Sequence, residues 1–187
     1  MHESLITKKI IAYSLKKIMQ ETPFQKVSIR QIMETAEIRR QTFYDYFQDK
    51  YELLSWTYQQ EISENIRDFL DYEEWEKVLY RMLRYFEANQ VFYRNALAVS
   101  EQNSFDTYFY EHTKELFQTA LVDLARKNHA ELTEETMSFV SAFAAHGIVG
   151  MTKEWLFNEC ATPPEILARN IADVLETTMK GMYHSHA

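Results

Sequence analysis

Apolar positions recur along this chain at three- and four-residue steps, and no stretch alternates with the two-residue period of a strand, so the pattern predicts an all-α fold. Ser4 to Gln20 forms a first helix with Ile10, Ile11, Leu15, Ile18 and Met19 inward and Lys8, Lys9, Lys16 and Lys17 mostly outward. Pro23 halts it, and Phe24 plugs a small core. From Lys50 a longer helix runs to about Leu70 with Leu53, Leu54, Trp56, Tyr58 and Ile62. After an acidic break at Asp71 to Glu74, helical spacing resumes at Trp75, Val78, Leu79, Met82, Leu83 and Phe86, through about Asn89. Val91 to Val99 is a short helix and Ser100 to Ser104 a polar turn. Phe105 to Asn128 is helical again, with Phe109, Leu116, Phe117, Ala120, Leu121 and Leu124 inward. Thr133 caps the next and most apolar helix, which ends near Cys160. Thr162-Pro163-Pro164-Glu165 opens the last by a capping box and a first-turn proline, ahead of Ile166, Leu167, Ile171, Val174, Leu175 and Met179.

Between the first helix and Lys50 lies a denser pattern, SIRQIMETAEIRRQTFYDYFQDK, from Ser28 to Lys50. Ser28 and Gln31 make the S-x-x-Q capping box of a short helix whose Ile29, Ile32, Met33 and Ala36 share one face. Ile38 plugs a turn, and Arg39 to Tyr46 forms a second short helix with Phe43 and Phe47 inward. Arg39, Arg40, Gln41, Thr42, Tyr44 and Tyr46 are left mainly outside, and Asp49 with Glu52 caps the helix that follows.

This arrangement resembles the DNA-binding region of the TetR family of bacterial regulators. Ala36, Ile38, Thr42, Phe43, Tyr44, Phe47, Lys50 and Leu53 stand at positions of the family signature. Glu37 replaces its usual turn glycine, Arg39 its usual serine cap and Gln41 a small residue, so the turn departs from the family pattern. The resemblance implies a helix-turn-helix DNA-binding domain at residues 1–50 and a helical regulatory and dimerisation domain at 51–187. It implies base-edge contacts in the major groove from Arg39, Arg40 and Gln41. Phosphate contacts fall to Thr42, Tyr44, Tyr46 and Lys50, with Ser28, Arg30 and Gln31 assisting from the preceding helix. Asp45 is awkward beside phosphate; it accepts from cytosine or pairs with an arginine, and the residues do not choose between the two.

Composition adjusts this reading in two places. The net charge of −8 at first argues against DNA, but residues 1–50 hold nine Lys or Arg against six Asp or Glu, leaving eleven against twenty-two in 51–187. The head is therefore +3 and the rest −11, a basic end on an acidic body. A single cysteine, Cys160, excludes an internal disulfide framework and, with no signal peptide in view, points to the cytoplasm. The most apolar stretch, Met137 to Met151, is too short for a membrane span.

Enzymatic readings find no support in motifs: no glycine-rich phosphate loop, G-x-S-x-G, H-E-x-x-H or C-x-x-C occurs, and no cofactor is expected. Of the six histidines, His184 and His186 sit in the tail, and His146 alone lies in the apolar helix, as a core or interface side chain. The body's aromatics, among them Trp75, Tyr80, Phe86, Phe92, Tyr93, Tyr108, Phe109, Phe143 and Trp155, are core, with the wall of an effector cavity as the other reading. Ala142, Ala144, Ala145, Gly147 and Gly150 permit close helix approach; the resemblance implies a homodimer through the last two helices, and internal packing is the competing account.

Residues 92–97 (FYRNAL), 103–105 (NSF) and 146–151 (HGIVGM), with Trp155-Leu156, further resemble a TetR subgroup that includes activators of dihydroxyacetone kinase operons. That likeness implies activation, with a protein co-regulator related to a kinase subunit. The rivals are a repressor released by a small hydrophobic effector and, from another class, a helical enzyme or adaptor without a DNA role.

Overall fold

A computed structural model describes residues 2–66, 75–98, 105–127 and 132–184. Every regular element among them is helical: α1 (His2–Ile18), α2 (Ile29–Thr35), α3 (Lys50–Ile66), α4 (Trp75–Ala88), α5 (Gln90–Leu97), α6 (Phe105–Lys127), α7 (Glu134–Phe157) and α8 (Pro164–His184), with short 3-10 helices at Phe24–Lys26 and Arg40–Asp45. The fold is all-α, as the periodicity predicts. The acidic break at 71–74, the turn at 100–104, His186 and the side chain of Leu124 lie outside what is described.

Two compact units form: residues 1–64 with 89–106, and residues 65–88 with 107–187. In the first, Ile11, Leu15, Phe24, Ile32, Phe43 and Leu53 are fully buried. Each such side chain contributes about 1.5–3 kcal/mol on leaving water. Ile10, expected inside, is 43% exposed, because the buried stripe of α1 centres on Ile11, Leu15 and Met19 and leaves Ile10 at its flank. Helix α5 belongs to this unit, and so do Phe92 and Tyr93, which the sequence pattern assigns to the body. Tyr93 meets Tyr58 and Phe92 edge-to-face at 6.4 and 5.0 Å. Its hydroxyl donates to Glu61 (2.8 Å), whose other carboxylate oxygen takes Lys16 Nζ at 2.5 Å. Lys16 also donates to Asn89 Oδ1 at 2.9 Å, so α1, α3 and the start of α5 share one polar knot.

In the second unit α4 packs chiefly against α8 and also touches α7. Its Val78, Leu79, Met82, Leu83 and Phe86 form the buried stripe. Phe86 meets Phe109 at 5.5 Å, and Trp75 meets Phe117 at 6.0 Å. Thr133 caps α7 by accepting from Thr136 N at 3.2 Å, as its position predicts. At the other end Glu159 N–H returns to Leu156 O and Cys160 N–H to Trp155 O, a Schellman closure in which both residues adopt a φ of 53°. Trp155 Nε1 then donates to Thr162 O (2.7 Å), tying the turn to the start of α8.

The expectation that Phe143 is core needs correction. Phe143, Ile166 and Val174 are 63%, 39% and 61% exposed. Together with Phe139, Gly147, Gly150 and Met151 they line an outward face, while Val140, Ala144, Ala145, Ile148 and Val149 turn inward. His146 is also exposed and lies stacked on Tyr110, ring centroids 4.4 Å apart. The three glycines, Gly147, Gly150 and Gly181, all fall within helices, and a Cβ built on any of them meets nothing within 4 Å. Among the described residues no helix is long and apolar enough to cross a membrane.

Candidate nucleic-acid interface

The interface begins at a helix cap. Ser28 Oγ accepts from Gln31 N–H at 3.2 Å while Gln31 Oε1 accepts from Ser28 N–H at 2.9 Å, completing the capping box. Ser28 and Gln31, expected near phosphate, are exposed and hold this cap. Arg30 Nε donates to Glu34 Oε1 at 2.7 Å on the same outer surface. That hydrogen bond, reinforced by the carboxylate's charge, raises the already high guanidinium pKa further, so Arg30 stays cationic with a neighbour that offsets its charge.

Helix α2 closes on Glu37. Its φ is 57°, its N–H donates to Glu34 O (3.2 Å), and Ile38 N–H donates to Met33 O (3.1 Å). This is the Schellman motif that a glycine ordinarily completes; here the turn forms with a glutamate in the left-handed region, at a cost of about 1 kcal/mol. Loss of the glycine therefore leaves the turn geometry intact.

Past the turn, the expected helix Arg39 to Tyr46 is a tighter 3-10 helix, Arg40–Asp45. Arg39 makes no side-chain cap, and the bonds Thr42 N–H to Arg39 O and Tyr46 N–H to Phe43 O, each 3.0 Å, span three residues. With three residues per turn, side chains three apart align in rows. Phe43, wholly buried, turns the row of Arg40 and Tyr46 toward the protein midway along; Arg40 remains exposed at its start and Tyr46 is half-buried. Gln41 and Tyr44 form a row whose members are both exposed, and Arg39, Thr42 and Asp45 another in which only Thr42 is half-buried. Phe43 meets Phe47 at 5.7 Å, Phe47 meets Trp56 at 5.7 Å, and Lys8 Nζ lies 5.1 Å from the centre of the Phe47 ring. This aromatic file seats the short helix on α3 and α1, which its own few hydrogen bonds could not do.

Lys50 stands apart from the expected phosphate contacts. Its ammonium donates to Phe24 O, Gln25 O and Val27 O at 2.9, 3.0 and 3.0 Å and lies 4.7 Å from the Phe24 ring centre. Three donors meet three carbonyls, so in this conformation the side chain clamps the loop between α1 and α2. The same loop is held by a residue that the sequence places in the 92–97 stretch without giving it a role: Asn95 of α5 donates to Met19 O (3.0 Å) and Thr22 O (2.7 Å) and accepts from Phe24 N–H (2.7 Å). No local signal shows what Asn95 binds, since its partners lie more than seventy residues away.

Comparison with known proteins fits this geometry. A family model described as "Bacterial regulatory proteins, tetR family" matches residues 15–55, and one described as "Transcriptional regulator C-terminal region" matches residues 73–177. The chain is 36% identical over 154 residues, 82% of its length and 81% of the relative's, to the HTH-type dhaKLM operon transcriptional activator DhaS of Lactococcus lactis subsp. lactis (strain IL1403). Among solved structures it is similar to the dihydroxyacetone kinase operon activator DhaS, with a TM-score of 0.74 and 34% identity over 94% of this chain and 97% of that one. A TetR-family regulator from Syntrophomonas wolfei (TM-score 0.69, 18% identity, 92% and 94% covered) shares the fold.

Proposed function

The chain belongs to the TetR family of bacterial regulators, and from that premise we propose that it binds operator DNA as a homodimer and activates transcription of a dihydroxyacetone kinase operon with a kinase-related protein co-regulator. It is a DNA-binding transcription regulator and not an enzyme. The observation that carries the DNA assignment is the exposed row of Gln41 and Tyr44 beside exposed Arg39 and Arg40, on a short helix seated by buried Phe43. In this reading Arg39, Arg40 and Gln41 address base edges, while Thr42, Tyr44, Tyr46 and Arg30 address phosphate. Ser28 and Gln31 hold the helix end at the backbone, and Lys50 shapes the surface from behind. The head at 1–50 reads DNA in the cytoplasm and the body at 51–187 dimerises and responds.

The outward face of α7 and α8 supports a second copy as its occupant. Phe143, Gly147, Met151, Asn170, Ile171 and Val174 help to line a hollow of about 300 Å³ there. A two-fold pairing of these helices would bury the stripe and set two reading helices on half-sites about 34 Å, or a multiple, apart. Activation is supported by the 36% identity to an operon activator, and control through a protein partner by body rings such as Phe86 and Phe109 that pack on one another.

The test starts from a duplex selected by the protein out of a random pool. Gln41→Ala is expected to cost about 1–3 kcal/mol on that duplex and relax preference at one base pair; unchanged affinity and preference would remove Gln41 from base reading. Phe143→Asp, at an exposed site, should give a folded monomer in light scattering where wild type gives a dimer. A wild-type monomer at micromolar concentration rejects the pairing. Deleting the gene should lower transcription of the kinase operon, and a rise would make the protein a repressor.

A further inference from the structure

The segment joining α1 to α2 feeds directly into Ser28, the cap of the helix that braces the reading helix. Lys50 secures it through the carbonyls of Phe24, Gln25 and Val27. Asn95 secures it through Met19 O, Thr22 O and Phe24 N–H, so the one amide group supplies two donors and an acceptor to a single loop. These contacts satisfy backbone groups at the end of α1 that the helix itself leaves open. Asn95 is in turn fixed by its helix: Phe92 and Tyr93 are fully buried, and Tyr93 O–H is bonded to Glu61. Along the chain, only Asn89 separates α5 from α4, whose residues belong to the other compact unit.

We infer that Asn95 is a positioning residue for DNA reading: it makes the path of the α1–α2 loop, and through it the placement of α2 and the reading helix, depend on α5 being seated. The inference rests on the assignment of residues 28–50 to DNA. It gives α5 a function beyond packing. At 2.7–3.0 Å the three bonds are near their optimum, and a shift of α5 by about 1 Å would take them past bonding distance together. Whatever displaces α5 would thereby loosen the entry to the reading motif, without touching a residue that faces DNA.

The experiment uses the full chain and the duplex that wild type selects. Asn95→Ala is expected to bind that duplex about tenfold more weakly or worse, with the salt dependence of wild type because no phosphate contact is lost. Asn95→Asp keeps the acceptor for Phe24 N–H and at neutral pH turns a carboxylate toward two carbonyls; protonation restores one donor. The affinity ratio of wild type to Asn95→Asp should therefore shrink as pH falls from about 8 to about 5.5. A purely structural asparagine would lower the melting temperature of both variants, leave the folded protein's affinity near wild type and keep the ratio flat with pH. That result overturns the inference. Should Asn95→Ala fail to fold, the pH dependence of Asn95→Asp decides alone. A wild-type protein that enriches no sequence from the pool would instead overturn the DNA assignment beneath it.

Discussion

Replacing Lys50 by methionine separates two roles that one lysine in this motif could have. The change keeps the stem and removes the ammonium, taking that donor from Gln25 O and Val27 O, while Phe24 O keeps the Val27 N–H at 3.0 Å. Hydrogen bonds to a charged group contribute about 1.5–3 kcal/mol each when buried, but this side chain is half-exposed and water can reach carbonyls at a loop. A total loss of about 1–2 kcal/mol follows, or a fall of about 2–8 °C in melting temperature for a chain of this size. The informative readout is the salt dependence of DNA binding. A lysine on phosphate contributes about 0.9 to the slope of log affinity against log salt, whereas a clamp turned toward the protein contributes nothing. Fluorescence anisotropy across about 50–200 mM salt should show Lys50→Met weakening all sequences alike with the wild-type slope. A slope reduced by about one, with an unchanged melting temperature, would refute the clamp and return Lys50 to the phosphate-contacting set.

Glu37→Gly removes the left-handed strain at the α2 turn and should raise stability by about 0.5–1 kcal/mol in chemical denaturation, with DNA affinity retained; a loss of stability would mean that the glutamate side chain has a contact worth more than its strain. Lys9 Nζ sits 2.5 Å from Glu64, each side chain 48% exposed, and this hydrogen bond holds the Glu64 carboxyl below its ordinary 4.5. The folded state thus binds fewer protons than the unfolded one, so the contribution is complete above the ordinary value and is lost as pH falls through the lower folded value. Lys9→Met should cost about 0.2–1 kcal/mol near neutrality in urea midpoints and nothing in strong acid; an equal deficit at both would show that packing, not charge, is at stake.

Helix periodicity was enough to place every described helix within a few residues of where it lies, and the caps at Ser28, Asp49 and Thr133 sharpened the ends of three of them. The capping box at Ser28 and the buried Phe43 were legible for the same reason: both are local. What escaped was non-local. Periodicity marks Phe143 and Val174 as apolar but does not distinguish a core face from a face awaiting a partner, and both proved exposed. Phe92 and Tyr93 follow α4 in the chain yet pack with the head's own core, through contacts to residues more than thirty positions earlier. Lys50 matched a signature position, but the carbonyls that occupy it come from a loop 23–26 residues away. Glu37 shows the reverse: a residue poorly suited to its backbone angle does not abolish a turn that its neighbours' hydrogen bonds enforce.

The three glycines of α7 and α8 sit where the lone chain has no use for them, since none takes a positive φ and each has room for a methyl group. Alanine at Gly147 and Gly150 would favour the helix by about 0.8–1 kcal/mol apiece. In a paired four-helix arrangement the same methyl groups would stand in the way of the approaching backbone. If the proposed pairing forms, folding and assembly pull these two positions in opposite directions, and the double alanine variant would be a sturdier monomer that makes a weaker dimer, a reagent for learning what one subunit alone can do on DNA.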